Sequence, residues 1–409
     1  MKSGVTFENR KEATQGLLEV PPLVTVIMPV RNEAVFIERS LLSVLNQDYP
    51  MSQVEILVLD GMSEDGTRQT VEDFVRRGRV TGCELRVEKE RDEGREGERE
   101  RPVPLLNLDL NLNLNLRLID NPGRVVPTAM NIAVKVARGH WLVRLDAHSV
   151  YPPDYLRLCI ETARRTGADN VGGVFITLPR DDSPMARLVQ AITTSRFGVG
   201  NAHYRLDAVE GPADTVPFGC FRRGVFAEVG LFDERLIRNQ DYEFNCRLAR
   251  AGKRIWLNPA IQVKYYNQGT IAGLLGQAVF TGKWNPWMWY AAPYSFSLRH
   301  SVPVAFMLAV VAACAMSFVS PVGVGLLAIL VFCYLVAAVI SAFQQARRYG
   351  WWMLPLLPVL FCCYHAAYGI GTLWGALRLL VGATPVQKIR EPWPGAGRFR
   401  AWPKSEARS

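Results

Sequence analysis

The sequence predicts an α/β fold: a mostly parallel sheet flanked by helices, followed by C-terminal transmembrane helices. Three observations carry this. Nearly unbroken apolar runs at 23–30 and 54–59 alternate with stretches of helical periodicity, as in parallel strands covered on both faces. Two such runs end abruptly in an acid, Asp60 and Asp146. Residues 302–343 and 351–377 contain no Lys, Arg, Asp or Glu, and uncharged apolar runs of about 18 or more suit a bilayer.

At 409 residues the chain has room for two domains, or for one domain and a membrane region. The net charge of +9 suits a surface lying against anionic lipid. No nucleic-acid motif and no basic stripe interleaved with aromatics is present, which argues against a nucleic-acid partner. The eight cysteines form no C-x-x-C pair and no zinc spacing, and four lie in the apolar tail, so reduced, buried thiols are expected. Lys2, Glu8, Arg10, Lys11 and Glu12 leave no apolar secretory core, and residues 1–22 read as a polar leader.

A domain over 23–268 follows. After the strand at 23–30, Asn32 is placed to cap a helix carrying Phe36, Ile37, Leu41, Val44 and Leu45 at helical spacing. The second strand ends at Asp60, and a turn leads to a helix with Val71, Phe74 and Val75 inside. Residues 88–101 are a mixed charge block, and 105–118 alternate Leu with polar residues. The low complexity of 88–118 reads as an insertion, a charged loop feeding an extended edge segment. Helices are expected at 128–137, 154–165, 183–197 and 241–251. Strands are expected at 170–178, with Gly172 and Gly173 marking a close backbone approach, at 215–223 and at 254–257.

Residues 142–150 read as one buried strand, with Asp146 and His148 two apart at its end. An extended backbone at that spacing points both side chains the same way, where a carboxylate and an imidazole can hold a divalent metal. A polar turn after a strand is the plainer reading. Asp60, Asp146 and Asp241 all fall at strand ends or at a helix start, where open α/β sheets bind ligands. The chain has no P-loop and no G-x-G-x-x-G, so acids and a metal are the better way to hold a nucleotide here.

From about 269 to 300, Trp284, Trp287, Trp289 and Tyr290 suggest a segment at headgroup level. The membrane region at 301–381 offers stretches near 302–320, 322–343 and 352–377. Arg347 and Arg348 belong in the cytoplasm by the positive-inside rule, which places the N-terminal domain there too. The tail at 382–409 is also basic, and a third full span would send it outside. Pro355, Pro358, Gly369, Gly371 and Gly375 allow a re-entrant segment instead, and both readings stay open.

Six stretches, in this order and spacing, resemble family 2 glycosyltransferases of the GT-A fold: Val26-Ile27-Met28-Pro29-Val30-Arg31-Asn32-Glu33, residues 55–67, Asp120-Asn121-Pro122-Gly123-Arg124, Leu145-Asp146-Ala147-His148, residues 230–234, and Asn239-Gln240-Asp241-Tyr242-Glu243-Phe244. The likeness is greatest to membrane-anchored exopolysaccharide enzymes of the succinoglycan type. It implies a hexosyltransferase at the bacterial inner membrane with a cytoplasmic catalytic domain. Pro29, Arg31 and Glu33 would line the nucleotide pocket. Asp60 would accept from the uracil N3–H of a UDP-sugar, although it also suits a turn-capping acid. Asp146 and His148 would stand where the family usually has D-x-D and hold Mn²⁺ or Mg²⁺ on the donor diphosphate. The imidazole favours Mn²⁺, and a His that only hydrogen-bonds a phosphate is the alternative. Asp241 would be the base of an inverting transfer, against a plain capping role, with Glu243 as the near alternative. Phe218-Gly219-Cys220 would shape the acceptor side. The acceptor implied is a lipid-linked glycan, with other exopolysaccharide-assembly enzymes as possible partners. Gln277 and Lys283-Trp284 are too far apart for the Q-x-x-R-W of processive synthases, which favours single-sugar transfer. A processive synthase or a catalytically silent export scaffold are the other readings.

Overall fold

The computed structural model describes residues 22–79 and 115–385, apart from 201 and 207. The leader up to 21, the insertion up to 114 and the tail from 386 lie outside the described residues. Nine strands form one sheet in the order β3-β2-β1-β4-β8-β6-β9-β5, with β7 paired to β9. Its parallel half contains β1 (Val24–Val30), β2 (Val54–Asp60), β3 (Leu116–Asp120) and β4 (Trp141–Arg144). β8 (Cys220–Arg222) runs antiparallel between β4 and β6 (Asn170–Leu178). β9 (Ile255–Tyr266) is parallel to β6 and carries β5 (Ser149–Val150) and β7 (Gly211–Pro212) antiparallel.

Period-two alternation sends the apolar residues of β1 and β2 to opposite faces. Val26, Met28, Ile56 and Val58 pack under α1 (Ile37–Leu45) and α2 (Thr67–Arg79). Ile27, Leu57 and Leu59 pack on the other face, against α3 (Val126–Val136). Both faces are apolar because both are covered, which is why these strands read as unbroken runs. Glu55 interrupts β2 and is fully buried. Thr25 Oγ1 donates to it at 2.7 Å, and Arg117 and Arg138 pair with it at 2.7 and 2.9 Å.

Several expectations need correction. Asn32 does not cap α1: it sits at φ 56, and its side chain accepts from Glu64 N at 2.9 Å across the site. The stretch 142–150 is not one strand. β4 stops at Arg144, a turn carries Asp146 and His148, and β5 joins β9. The span 183–197 divides into α5 (Pro184–Thr193) and α6 (Arg196–Val199), because Ser195 starts a new helix with its own cap. Only Cys220–Arg222 of 215–223 is strand, since Phe218 and Gly219 turn the chain at φ 61 and 86. β9 runs far past Leu257, across a register shift opposite Gly172 and Val174 of β6. The paired glycines there do mark a close approach: a Cβ on Gly173 would lie 1.7 Å from Ile261 O. Between β4 and β9 come α4 (Tyr155–Thr166), α7 (Val225–Val229) and α8 (Gln240–Arg250).

C-terminal to the sheet, α9 (Ile271–Ala291) leads to α10 (Leu298–Ser317), α11 (Pro321–Tyr349) and α12 (Leu357–Leu380). The last three are long and apolar enough to cross a membrane. α12 is one unbroken helix, with its prolines in or before the first turn. Its glycines bring α9 close: a Cβ on Gly371 would lie 2.2 Å from Val279 O, and one on Gly375 2.2 Å from Lys283 O. Trp284 and Trp287, read as headgroup residues, are buried within the protein, and Trp287 Nε1 donates to Gly375 O at 3.0 Å. α12 also touches the sheet domain along its length. Leu357 and Phe361 pack with Leu188 and Ile192 of α5, His365 Nε2 lies 2.8 Å from Phe197 O, and Leu379 packs on the cluster that holds Leu236.

Candidate active site

The site lies beyond the C-terminal ends of β1, β2 and β4, with the start of α8 closing one side. Two loops form its first wall. The chain after β1 and the chain after β2 are tied by Asn32 N to Ser63 Oγ at 3.0 Å, Glu33 N to Thr67 Oγ1 at 2.8 Å and Ala34 N to Asp65 Oδ2 at 3.0 Å. The left-handed backbone at Asn32 lets these amides face the second loop. Pro29 is the next-to-last residue of β1, beside Leu59, and Arg31 packs on Gly61. Asp60 is buried. It accepts from Ser63 N at 3.1 Å, so it does cap its turn, and it pairs with Arg68 at 3.3 Å. Arg68 also reaches Asp120 at 2.7 Å, joining β2 to β3.

The second wall is built on a residue the sequence reading passed over. Arg144, at the last position of β4, is 6% exposed. Its Nη1 donates to both oxygens of Asp241, at 2.6 and 2.5 Å, and its Nε donates to Asp146 Oδ1 at 3.1 Å. One guanidinium therefore joins the acid after β4 to the acid at the start of α8. Burial pushes the Arg144 pKa down, but Asp146 and Asp241 overcome this and hold it charged. The one signal of its role was a cation inside an otherwise apolar strand, which is costly unless paired.

Tyr151 fixes the turn: its hydroxyl accepts from Asp146 N at 2.7 Å and donates to Asp146 O at 3.2 Å. Asp146 and His148 do not converge by strand geometry. Asp146 faces Arg144, while His148 Nδ1 lies 3.0 Å from Glu33 Oε1 on the first wall. The hydrogen bond to Glu33 raises the His148 pKa; burial opposes it and the Asp146 charge adds to it. The Tyr265 ring stands edge-on to His148 at 6.4 Å.

Among the described residues no group of three or more His, Cys, Asp or Glu gathers into a metal cage. Asp146 and His148 do fit a cation that takes its remaining ligands from a diphosphate. With the Nδ1 proton directed to Glu33, Nε2 is left with its lone pair free to ligate, and a carboxylate behind the imidazole is the usual support of a metal-binding His. Asp146 would exchange Arg144 for the cation.

Glu243 is sealed away. It is fully buried, both its oxygens are held by Arg247, and Tyr294 donates to it. The Asp241 side chain is 40% exposed. Of the two acids at the start of α8, only Asp241 opens to the site. Phe218 and Cys220 are core residues, with Phe218 packed on Tyr151 and Phe175.

Residues 25–99 and 105–230 match the model of the family described as glycosyl transferase family 2. The chain belongs to family 2 of the glycosyltransferases. It is an enzyme of that class, with a mixed GT-A sheet. The family match covers the two loops of the first wall, Arg144, Asp146 and His148, and ends before Asp241. The chain is similar to the succinoglycan biosynthesis protein ExoA of Rhizobium meliloti (strain 1021), 28% identical over 355 residues, covering 85% of this chain and 92% of that one. It is 23% identical over 362 residues to a dolichyl N-acetyl-α-D-glucosaminyl phosphate 3-β-D-2,3-diacetamido-2,3-dideoxy-β-D-glucuronosyltransferase of Methanococcus voltae, covering 87% and 97%. Among solved structures it resembles the mannosyltransferase PcManGT of Pyrobaculum calidifontis in complex with GDP-Man and Mn²⁺. The TM-score is 0.53 at 20% identity, with 90% and 93% of the two chains covered, a likeness of fold.

Proposed function

We propose that this glycosyltransferase moves one hexose per encounter, with inversion, from a UDP-sugar to a lipid-linked oligosaccharide in exopolysaccharide assembly. The observation that carries this reading is the Arg144 bridge, which puts Asp146 and Asp241 on either side of one guanidinium at the sheet edge. In this reading the donor diphosphate lies on the Asp146 side of the guanidinium and the acceptor hydroxyl on the Asp241 side. The names of the Rhizobium and Methanococcus relatives, one in succinoglycan biosynthesis and one with a dolichyl-linked sugar phosphate, support the acceptor class. The GDP-Man and Mn²⁺ of the Pyrobaculum protein support a nucleotide-sugar donor and a divalent metal.

In this reading Pro29, Arg31 and Glu33 line the nucleotide pocket, and Asp60 accepts from the uracil N3–H. Asp146 and His148 would hold Mn²⁺ or Mg²⁺, and the ion would supply positive charge to offset that of the leaving diphosphate. Arg144 orients the Asp241 carboxylate. Asp241 takes the acceptor hydroxyl proton as that oxygen bonds to the anomeric carbon. The bond from that carbon to the β-phosphate oxygen breaks on the opposite face, and UDP leaves with the electron pair.

The same reading places the sheet domain in the cytoplasm of a bacterium, at the inner membrane. α10 and α11 cross the bilayer, and Arg347 and Arg348 return to the inner side. α12 lies along α9 and the sheet domain at the membrane surface, so the basic tail stays inside. Its contacts with α5 and Phe197 support this, because a helix crossing away from the domain loses them.

The test is a donor panel of UDP- and GDP-sugars with Mn²⁺ or Mg²⁺, using full-length protein in nanodiscs and a polyprenyl-diphosphate oligosaccharide. The expected product carries one added sugar of inverted anomeric configuration by NMR. Retention, long polymer, or transfer unaffected by chelator would each contradict the reading.

A further inference from the structure

Asn239 is the last residue before α8, and its side chain is not used as its type suggests. Asparagine is a favoured N-cap because its oxygen can accept from the amides of the first turn. Here the backbone is left-handed, at φ 64, and the side chain makes no capping bond. Its Nδ2 donates instead to Asn285 Oδ1 of α9 at 3.0 Å. Asn285 is fully buried, and its own Nδ2 donates to the Tyr368 hydroxyl of α12 at 2.8 Å. One chain of hydrogen bonds therefore runs from the turn before α8, through α9, to α12. The two helices approach closely at this level, since a Cβ on Gly282 would lie 2.2 Å from Tyr368 O.

The members of this relay are unfavourable when taken singly. A left-handed backbone is disfavoured for a residue with a Cβ and persists where the surroundings hold it. A buried amide beside Trp284 and Pro286 is costly unless its oxygen and its nitrogen are both bonded. The relay satisfies both ends of Asn285. A tether that only fastened α9 to the sheet domain could sit anywhere along α8. This one sits two residues before Asp241. The Asn239 carbonyl also accepts from Glu243 N at 3.0 Å, so the first turn of α8 is built on Asn239. Asp241 is thus held twice. Arg144 grips its carboxylate from the sheet, and the relay sets its backbone from the membrane helices.

We propose that Asn239, Asn285 and Tyr368 are positioning residues for transfer, through which the packing of α12 on α9 places the Asp241 carboxylate at the acceptor hydroxyl. This role rests on the reading of Asp241 as the base. It ties the rate of the chemical step to the membrane helices, without any contact between those helices and the donor.

The experiment measures kcat and KM for transfer to the polyprenyl-diphosphate oligosaccharide, UDP affinity and melting temperature, with full-length protein in nanodiscs. Asn239→Gly removes the side chain and suits the left-handed backbone, so it is expected to keep its melting temperature. Its kcat is expected to fall about tenfold, with UDP affinity kept. A purely structural role for the left-handed residue would be met by glycine and would leave kcat alone. Tyr368→Phe keeps the ring and loses one hydrogen bond, and its kcat is expected to fall about threefold. The double variant is expected to match Asn239→Gly, because both changes break one relay. Tyr334→Phe is the control. It removes a hydroxyl 2.9 Å from His365 Nδ1, between α11 and α12, and is expected to transfer like wild type. Wild-type kcat in both folded single variants overturns the proposal. So do losses that multiply in the double variant, a loss in UDP affinity in place of kcat, or an equal loss in Tyr334→Phe. If Asn239→Gly does not fold, Tyr368→Phe against Tyr334→Phe decides the matter. The base reading fails separately, if Asp241→Asn transfers at the wild-type rate.

Discussion

Replacing Arg144 with Gln removes the one cation between Asp146 and Asp241. Breaking a buried ion pair typically costs about 3–5 kcal/mol. Here the two carboxylates keep 18% and 40% side-chain exposure, so water takes up part of the charge. The expected loss of stability is about 2 kcal/mol, or roughly 4–8 °C in melting temperature for a domain of this size. Turnover should fall about a hundredfold, because Asp241 loses the Nη1 contact to both its oxygens that aims it. Metal dependence should move the other way. Arg144 occupies the Asp146 oxygens that a cation needs, so without it half-saturation by Mn²⁺ should fall about three- to tenfold. Thermal melts, single-turnover transfer and a Mn²⁺ titration on the same preparation read all three. Normal turnover, or a weaker Mn²⁺ response beside normal folding, would refute the bridge as the organiser of the site. Arg144→Lys should keep most of the stability but not the turnover, since an ammonium cannot span both acids with the same fork.

Three other perturbations test the frame around the site. Glu55→Gln should destabilise the protein by about 2–3 kcal/mol in urea unfolding, because Arg117 and Arg138 lose their buried anion. Burial pushes the Glu55 pKa up, but hydrogen bonds from Arg138 and Thr25 and the charge of Arg117 bring it below the usual value. Its contribution is therefore full above about pH 4.3 and is lost as pH falls through the lowered value, so the variant should show a flatter acid limb than wild type. Gly371→Ala should loosen α9 from α12 by about 1–3 kcal/mol in detergent melts, while Gly325→Ala, whose Cβ meets nothing within 4 Å, should be silent. A reporter fused after residue 385 should read as cytoplasmic, and active alkaline phosphatase there would put α12 across the bilayer.

The parallel half of the sheet was legible because its strands are buried on both faces, and burial leaves an apolar run that composition alone reveals. The antiparallel half was less so. β8 is three residues long, and β9 continues through Asn258, Pro259 and Ala260, where the usual strand signals lapse. The acids of the site could be found by their places at strand ends. Their partners could not, because hydrogen bonds between residues 97 apart, as from Arg144 to Asp241, leave no local pattern. Asn32 shows the same limit: a good capping residue by type was turned by its left-handed backbone into a cross-link between two loops. Glu243 and Asp241 look interchangeable in sequence. They differ only in what folds over them, Arg247 and Tyr294 in one case and open site in the other.

The most direct measurement is single-turnover transfer by Asp241→Asn in nanodiscs, with donor binding measured alongside. Asparagine keeps the size and can still meet Arg144 through its carbonyl oxygen, but it cannot take a proton. The expected result is donor affinity near that of wild type and transfer lower by about a thousandfold. Transfer at the wild-type rate, with the variant folded and donor bound, would contradict Asp241 as the base and with it the site described for this glycosyltransferase.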